Sequence, residues 1–190
     1  PEAARPRRVL SPSDLGGAKA LPGEPAAEAL ARGTALHLLL ERLPEVPPTD
    51  RAALAQALIP DATLASEVLA EADAILSDPA FSPLFAPGSL AEVAVTAPWG
   101  EVLLAGTVDR VVLSPGRVLA IDYKSNTVVP KTPDDVPEGI LRQLGAYAHV
   151  LTAIYPDRQV EVAVLWTRAP SLMRLDPEIV RQALSRTTIP

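Results

Sequence analysis

The sequence predicts an α/β domain of the α+β kind, in which a mixed central sheet is flanked by helices. The first observation is a helical spacing of leucines ahead of three β-like runs. The second is a turn signal, Ser114-Pro115-Gly116, which folds the last two of these runs into an antiparallel pair. The third is a second helical pattern followed by another strand. The predicted order is therefore helix, three strands, helix, strand, with extra helices inserted after the first one.

The first segment of the chain, residues 1–27, is rich in proline, glycine and alanine. This composition predicts a linker and loop from a longer parent chain, and it leaves residues 28–190 as the folded domain. Because the chain begins with Pro1 and not with methionine, we expect it to be a segment of a longer protein. No Gly-x-x-x-x-Gly-Lys-Ser/Thr phosphate loop occurs, so we expect any ATP-driven motor to lie outside this segment.

Helical patterns account for the next part of the chain. Leucine spacing predicts a helix over 28–43 that ends at Pro44 and the Pro47-Pro48 pair. Alanine-rich and leucine-rich patterns behind capping residues predict further helices. These lie at 50–58 and 63–76, and the proline-rich segment 77–90 is predicted to be a loop that Phe81 and Phe85 anchor onto the core.

Alternating patterns then predict strands. Three strands follow one another at 91–96, 102–113 and 118–124, and we expect an antiparallel meander. A mobile polar loop at 125–137, a helix at 138–154, a strand at 159–167 and a short helix starting at Asp176-Pro177-Glu178 complete the prediction.

The composition indicates one soluble domain. The chain has 190 residues, 48% of them apolar, which is enough for one buried core. It lacks an apolar run of the roughly 20 residues needed to cross a bilayer, and it lacks a leader pattern, so we expect a cytoplasmic protein with no membrane contact. The absence of cysteine excludes disulfides and thiolate metal sites.

Two carboxylates and an ammonium fall on neighbouring strands. Asp122 and Lys124 are two residues apart and project from one face, and the hairpin makes Asp109 a cross-strand neighbour of Asp122. Paired carboxylates in an apolar sheet repel each other unless a cation lies between them, and oxygen ligands of this kind select Mg²⁺ or Mn²⁺. The alternative is an ordinary ion pair on a solvated sheet face.

Helical side chains supply further candidates. His37 lies in the middle of the first helix, and Gln143 and Tyr147 lie at i and i+4 on one face of the helix at 138–154. The alternative for His37 is a structural histidine capped by Glu41, and the alternative for the other pair is a polar stripe. His149 is interpreted as structural.

Four sequence blocks occur in an informative order. They are Gly-Thr-x-x-His at 33–37, Gly-x-x-Asp-Arg at 106–110, Asp-Tyr-Lys at 122–124 and Gln-x-x-x-Tyr at 143–147, preceded by Ser-Pro-Ser at 11–13. In these blocks the chain resembles the RecB-type nuclease branch of the PD-(D/E)XK superfamily. Within that branch it is most similar to the C-terminal nuclease domains of AddA helicase–nuclease subunits.

The resemblance implies a site. It makes metal ligands of His37, Asp109, Asp122 and the main-chain carbonyl of Tyr123, with Mg²⁺ as cofactor and Mn²⁺ as a substitute. It also implies that Lys124 is the catalytic lysine, acting with Asp109 and Asp122, and that Gln143 and Tyr147 are accessory catalytic residues. For Glu92, ahead of the hairpin, a supporting role and a solvated edge-strand glutamate remain equally open.

The resemblance further implies a function. It is hydrolysis of DNA phosphodiester bonds, as an exonuclease on single strands fed by an attached helicase, in an AddAB/RecBCD-type enzyme of double-strand-break repair. The implied partners are DNA, the helicase domains of the same parent chain and an AddB-like subunit. The absence of cysteine argues against the iron–sulfur cluster of AddB and of Cas4-like exonucleases.

Net charge limits how such a domain binds DNA. The formal charge is −6, whereas domains that bind nucleic acid by themselves are usually basic. We therefore expect poor independent DNA binding, which fits delivery of the strand by a helicase. Two alternatives remain open, a non-cleaving nuclease-fold module for DNA binding or subunit docking and a plain interaction domain with no response to divalent ions.

Overall fold

A computed structural model describes residues 8–16 and 26–187. In this part of the chain, a mixed six-stranded sheet is flanked by helices, which confirms the predicted fold class. The helices are α1 (Ala26–Arg42), α2 (Arg51–Leu58), α3 (Ala62–Leu76), α4 (Glu138–Ile154) and α5 (Pro177–Ser185). The strands are β1 (Arg8–Leu10), β2 (Ser89–Trp99), β3 (Val102–Ser114), β4 (Arg117–Lys124), β5 (Gln159–Trp166) and β6 (Ser171–Leu175).

Local chemistry sets the helix ends. Pro44 has no N–H to continue α1, and this helix ends two residues before it. The Asp61 carboxylate accepts hydrogen bonds from the main-chain N–H groups of Thr63 and Leu64 at the start of α3. Asp176 does the same for Glu178 at the start of α5. The helices at 28–43, 50–58, 63–76 and 138–154 are therefore confirmed to within two residues at each end.

The long strand β3 organises the sheet. It pairs antiparallel with β2 along most of its length and antiparallel with β4 near its end, where Ser114 faces Arg117. This is the predicted meander. The first residues of β3 pair with β1 in parallel, β5 adds in parallel to β4, and β6 adds antiparallel to β5. The parallel β4–β5 pair places the ends of both strands at the same edge.

Each face of the sheet carries its own hydrophobic core. Helices α4 and α5 cover one face with side chains such as Leu144 and Val180, and β5 contributes Val162, Val164 and Trp166. On the opposite face, α1 and α3 pack leucines and alanines against Ile121 and Leu165. Phe81 is buried and Phe85 is partly buried in this second core, as predicted. Burial on both faces explains why β4 is almost continuously apolar.

Two short strands were not predicted from sequence. Residues 8–10 fall in the predicted linker but form β1, and Pro12 and Leu15 behind them are buried. The strand β6 follows β5 through a tight turn. Strands of three and five residues are too short to show a period, and their pairing is decided by the neighbouring strand. The rest of the predicted linker lies outside the described residues.

Among the described residues, no helix combines the length and the apolar character that a bilayer crossing requires. His149 contacts a main-chain group, since its Nε2 atom lies 2.8 Å from the Pro98 carbonyl oxygen. This contact agrees with the structural role predicted for that histidine.

Candidate active site

The site forms where the β3–β4 hairpin opens. In the β3–β4 ladder, the pair nearest this opening is Arg110 with Ile121. At the next position, the Asp109 side chain takes the place of a main-chain hydrogen-bond partner. Asp109 Oδ2 accepts a hydrogen bond of 2.6 Å from the main-chain N–H of Tyr123. Because the N–H and C=O of a strand residue point to the same side, the Tyr123 carbonyl also faces this opening.

Strand alternation breaks at the same point. Val108 and Val111 both pack into the core on the α4 side although they are three residues apart. A regular strand would turn them to opposite faces. The interruption at Asp109 and Arg110 turns the Asp109 carboxylate towards the opening and towards α1.

Helix α1 brings its histidine to this carboxylate. His37 Nδ1 lies 3.3 Å from Asp109 Oδ1, and the imidazole ring packs edge-on against the Tyr123 ring at 5.4 Å between centroids. Glu41 does not cap His37 but pairs with Arg42 at 3.2 Å. His37 thus contacts the candidate site through Asp109 and Tyr123.

Glu92 approaches from the other side of β3. The ladder pairs Ala91 with Arg110 and Val93 with Val108, so Glu92 lies opposite Asp109. Its φ of +48° is in the left-handed region, which is unusual for a residue with a Cβ and often accompanies a functional constraint. Ligand atoms of His37, Glu92 and Asp109 all lie within 4.8 Å of one another.

A second group of side chains surrounds Asp122, which is 2% exposed. Lys124 Nζ lies 2.5 Å from Asp122 Oδ2, and Gln143 Nε2 donates to Asp122 Oδ1 at 2.9 Å. Gln143 Nε2 also lies 3.2 Å from the Tyr147 hydroxyl oxygen, and that hydroxyl donates to the Thr107 carbonyl at 2.6 Å. The structure therefore links four of the predicted residues through hydrogen bonds and one ion pair.

Burial and like charge dominate the electrostatics. Burial first, and then the charge of Asp109, raise the pKa of Asp122 despite the neighbouring Lys124. The same two causes raise the pKa of Glu92. Burial alone would lower the pKa of His37, but its hydrogen bond to Asp109 and the charges of Asp109 and Asp122 outweigh this and raise it. The carboxylates therefore lack sufficient compensating positive charge.

The donor set fits a small divalent cation. One imidazole nitrogen and several carboxylate oxygens are ligands that Mg²⁺ and Mn²⁺ accept. The ligand atoms of His37, Glu92 and Asp109 lie within 4.8 Å of one another, so these three side chains converge on one place. Asp122 Oδ2 is buried and accepts no hydrogen bond of regular geometry, with the Lys124 ammonium as its ionic partner. A cation would offset both the burial and the mutual repulsion that raise the pKa values of Asp122 and Glu92.

Sequence reasoning left some contributors open or unnoticed. Glu92 had no distinguishing sequence signal, because its left-handed backbone and its position opposite Asp109 are tertiary features. Thr167 was read as the end of a strand, but it is fully buried and its N–H donates to the Lys124 carbonyl at 3.0 Å. Gly106 admits Pro12 of the Ser-Pro-Ser segment, whose Cδ lies 2.7 Å from where a Cβ would be.

Comparison with known proteins gives one match of sequence and several of structure. A sequence profile of the PD-(D/E)XK nuclease superfamily matches residues 13–188. No curated protein matches the chain. A provisionally designated exonuclease from Eubacterium rectale is 12% identical with a TM-score of 0.46, over 88% of this chain and 65% of its own. The structure of a protein designated SSO0001 is 13% identical with a TM-score of 0.38, and the match covers 86% of this chain and 85% of that protein's chain. The chain thus spans about two thirds of the length of the first of these structures.

Proposed function

The chain belongs to the PD-(D/E)XK nuclease superfamily, and from this premise we propose that it is a Mg²⁺-dependent deoxyribonuclease domain. The observation that carries the proposal is the convergence of Asp109, Asp122 and Lys124 at the open end of one hairpin, with His37 against Asp109. Carboxylates, an imidazole and an ammonium in one partly enclosed place are the groups that metal-assisted phosphodiester hydrolysis uses.

In this proposal the ion is held by His37, Asp109, Asp122 and the Tyr123 carbonyl, with Glu92 as an additional ligand. When bound, Mg²⁺ supplies Lewis-acid polarisation of a phosphate oxygen and a lower pKa for a coordinated water. The opening of the hairpin supports this ligand set, because the Asp109 side chain of β3 meets the main chain of Tyr123 in β4 there.

The remaining residues orient the reacting groups. With a cation to balance Asp122, the Lys124 ammonium would be available to orient the attacking water and to offset negative charge on the phosphate. Gln143 keeps Asp122 in place through its amide and can also orient water. Tyr147 braces β3 through the Thr107 carbonyl. The roles of Gln143 and Tyr147 are supported by hydrogen bonds of 2.9 Å to Asp122 and 2.6 Å to the Thr107 carbonyl.

The next part of the proposal concerns the longer enzyme to which this domain belongs. We place the domain at the C-terminal end of an AddA-like helicase–nuclease, where it degrades single strands delivered by helicase domains of the same chain, beside an AddB-like subunit, in double-strand-break repair. The order of the four sequence blocks and the absence of cysteine support this assignment. The net charge of −6 supports it as well, because a tethered domain needs little DNA affinity of its own. Beyond the predicted range of 28–190, residues 8–10 also belong to the domain, because β1 pairs with β3 in the sheet.

A calorimetric titration with Mn²⁺ tests the metal centre without needing DNA delivery. We expect one site in the wild-type domain and a loss of affinity of at least about 10-fold in Asp122→Ala. Asp73→Ala is the control, because it removes a carboxylate that pairs with Arg51 at 2.8 Å, outside the site. Equal binding by the wild type and Asp122→Ala would reject the metal centre and favour a non-cleaving module.

A further inference from the structure

We infer that Arg110 is a positioning residue for the metal site, because it ties helix α1 to strand β4 and so sets where His37 and Tyr123 stand relative to Asp109. The inference rests on the proposed function and adds a residue to it. Arg110 directly follows Asp109 in β3, but its side chain lies on the α1 side of the sheet. Arg110 therefore contacts the elements that carry the candidate ligands and is not itself proposed as a ligand.

The guanidinium group of Arg110 is buried, with 4% of the residue exposed. Its Nη2 donates to the Leu40 carbonyl at 2.6 Å, and its Nε donates to the Tyr123 hydroxyl at 3.1 Å. Nη1 donates to Ser89 Oγ at 3.2 Å, and the group stacks over the Phe85 ring at 4.8 Å. One side chain of β3 thus joins α1, β2 and β4.

The contact with α1 depends on Pro44. In a continuing helix the Leu40 carbonyl would accept from the N–H of residue 44, but proline has no N–H. Arg110 supplies the missing donor. Leu40 lies one turn after His37, so this bond fastens the end of α1 that carries the histidine. The same proline that ends the helix therefore creates the acceptor that holds it to the sheet.

The contact with Tyr123 reaches the other ligands. The Tyr123 ring packs edge-on against His37, and its main-chain N–H donates to Asp109. Fixing the hydroxyl end of this ring fixes the ring between His37 and the sheet. Arg110 therefore acts on His37 by two routes, through α1 and through Tyr123, without touching the imidazole.

Charge gives a further reason for an arginine here. Among the described residues, its hydrogen-bond acceptors are a carbonyl and two hydroxyls, all neutral, so no carboxylate there bonds directly to the buried guanidinium. A buried cation without such a partner is costly. Glu92 supplies part of the compensation, since the charges of Arg110 and Glu92 attract each other. A planar fork with three separate donors is also something lysine cannot provide.

The test is Mn²⁺ affinity by calorimetry in Arg110→Met, Arg110→Lys and Tyr123→Phe, together with melting temperatures. We expect roughly 10-fold weaker binding in Arg110→Met and a partial recovery in Arg110→Lys, which keeps the charge but not the fork. In Tyr123→Phe, which keeps the main chain and the ring, we expect about 3-fold weaker binding. Excess Mn²⁺ should restore nuclease activity in all three, because the catalytic lysine is intact.

Arg51→Met is the matched control. Arg51 is also a buried arginine, 8% exposed, and it donates to the Val46 carbonyl and pairs with Asp73. It should lower the melting temperature about as much as Arg110→Met while leaving Mn²⁺ affinity unchanged. Unchanged affinity in a folded Arg110→Met, or in Tyr123→Phe if the arginine variants do not fold, would overturn the inference. Failure of the wild type to bind Mn²⁺ would instead reject the proposed function.

Discussion

Lys124 and Asp122 illustrate how a reactive pair is kept in place at the residue level. Asp122 is nearly inaccessible, with side-chain exposure of 3%, and Lys124 reaches it from the strand end with 19% exposure. The amide of Gln143 holds the second carboxylate oxygen. Removing the lysine would therefore leave a buried carboxylate with one hydrogen bond and no adjacent cation.

We predict that Lys124→Ala lowers the rate of DNA cleavage by about 10²–10³-fold at saturating Mg²⁺, because a charge that stabilises the transition state is lost. The domain should still fold, since Asp122 keeps its bond to Gln143 and can take up a proton. The free energy of unfolding should fall by about 1–3 kcal/mol. A nuclease assay and denaturant unfolding measure the two effects.

Arg181→Ala is the control for that experiment, because its side chain is 70% exposed and pairs with Glu178 within α5. It should change neither cleavage nor, beyond about 0.5 kcal/mol, stability. Near-normal metal-dependent cleavage by Lys124→Ala would rule out the proposed mechanism.

At the level of elements, helices α4 and α5 approach each other closely at Gly145. A Cβ on Gly145 would lie 2.3 Å from the Val180 carbonyl oxygen and 3.0 Å from Leu184 Cβ. These neighbours include main chain, so they cannot move without displacing α5. Gly33 in α1 differs, because a Cβ there would meet only Ser125 Oγ at 3.6 Å, an ordinary contact.

We therefore predict that replacing these two glycines with alanine has opposite effects on stability. Gly145→Ala should lower the free energy of unfolding by about 1–3 kcal/mol through overpacking. Gly33→Ala should raise it by about 0.5–1 kcal/mol, because alanine favours the helix and has room. Urea unfolding of both variants gives the comparison. Destabilisation by Gly33→Ala would show that the loop after β4 packs against α1 more closely than its 3.6 Å contact indicates.

At the scale of the whole molecule, burying Asp122 in its ionised form lowers the free energy of unfolding. Burial raises the pKa of Asp122 above its usual range, so the native state binds this proton more tightly than the unfolded state does. The contribution of Asp122 to stability is then greatest at acid pH and is lost as the pH rises through the native-state pKa. A divalent cation would offset the loss by binding the ionised form.

We therefore predict that, without divalent ions, Asp122→Asn is more stable than the wild type at about pH 8, and that the difference narrows towards about pH 5. Mn²⁺ should raise the melting temperature of the wild type but not that of Asp122→Asn. Thermal unfolding over a pH series, with and without Mn²⁺, measures both effects. A constant difference across the series would mean that Asp122 does not titrate with a raised pKa.

Sequence patterns were sufficient to predict the long helices and strands. The leucine spacing around His37 and the alternation around Asp122 predicted a helix and a strand that the structure confirms. Short elements escaped prediction because β1 and β6 depend on their neighbours for pairing. The motif residues were identified in sequence, but their mutual distances follow from the hairpin register and from the packing of α1 and α4 against opposite faces of the sheet.

The sequence by itself determined the order of the long helices and strands, the meander and the family, because periodicity, turn residues and motif spacing are local properties of the chain. Only the tertiary structure decided that Glu92 joins His37 and Asp109, and that Arg110 bonds the carbonyl left vacant by Pro44. These contacts join residues that are far apart in the chain, and the packing of α1 against the sheet brings them together.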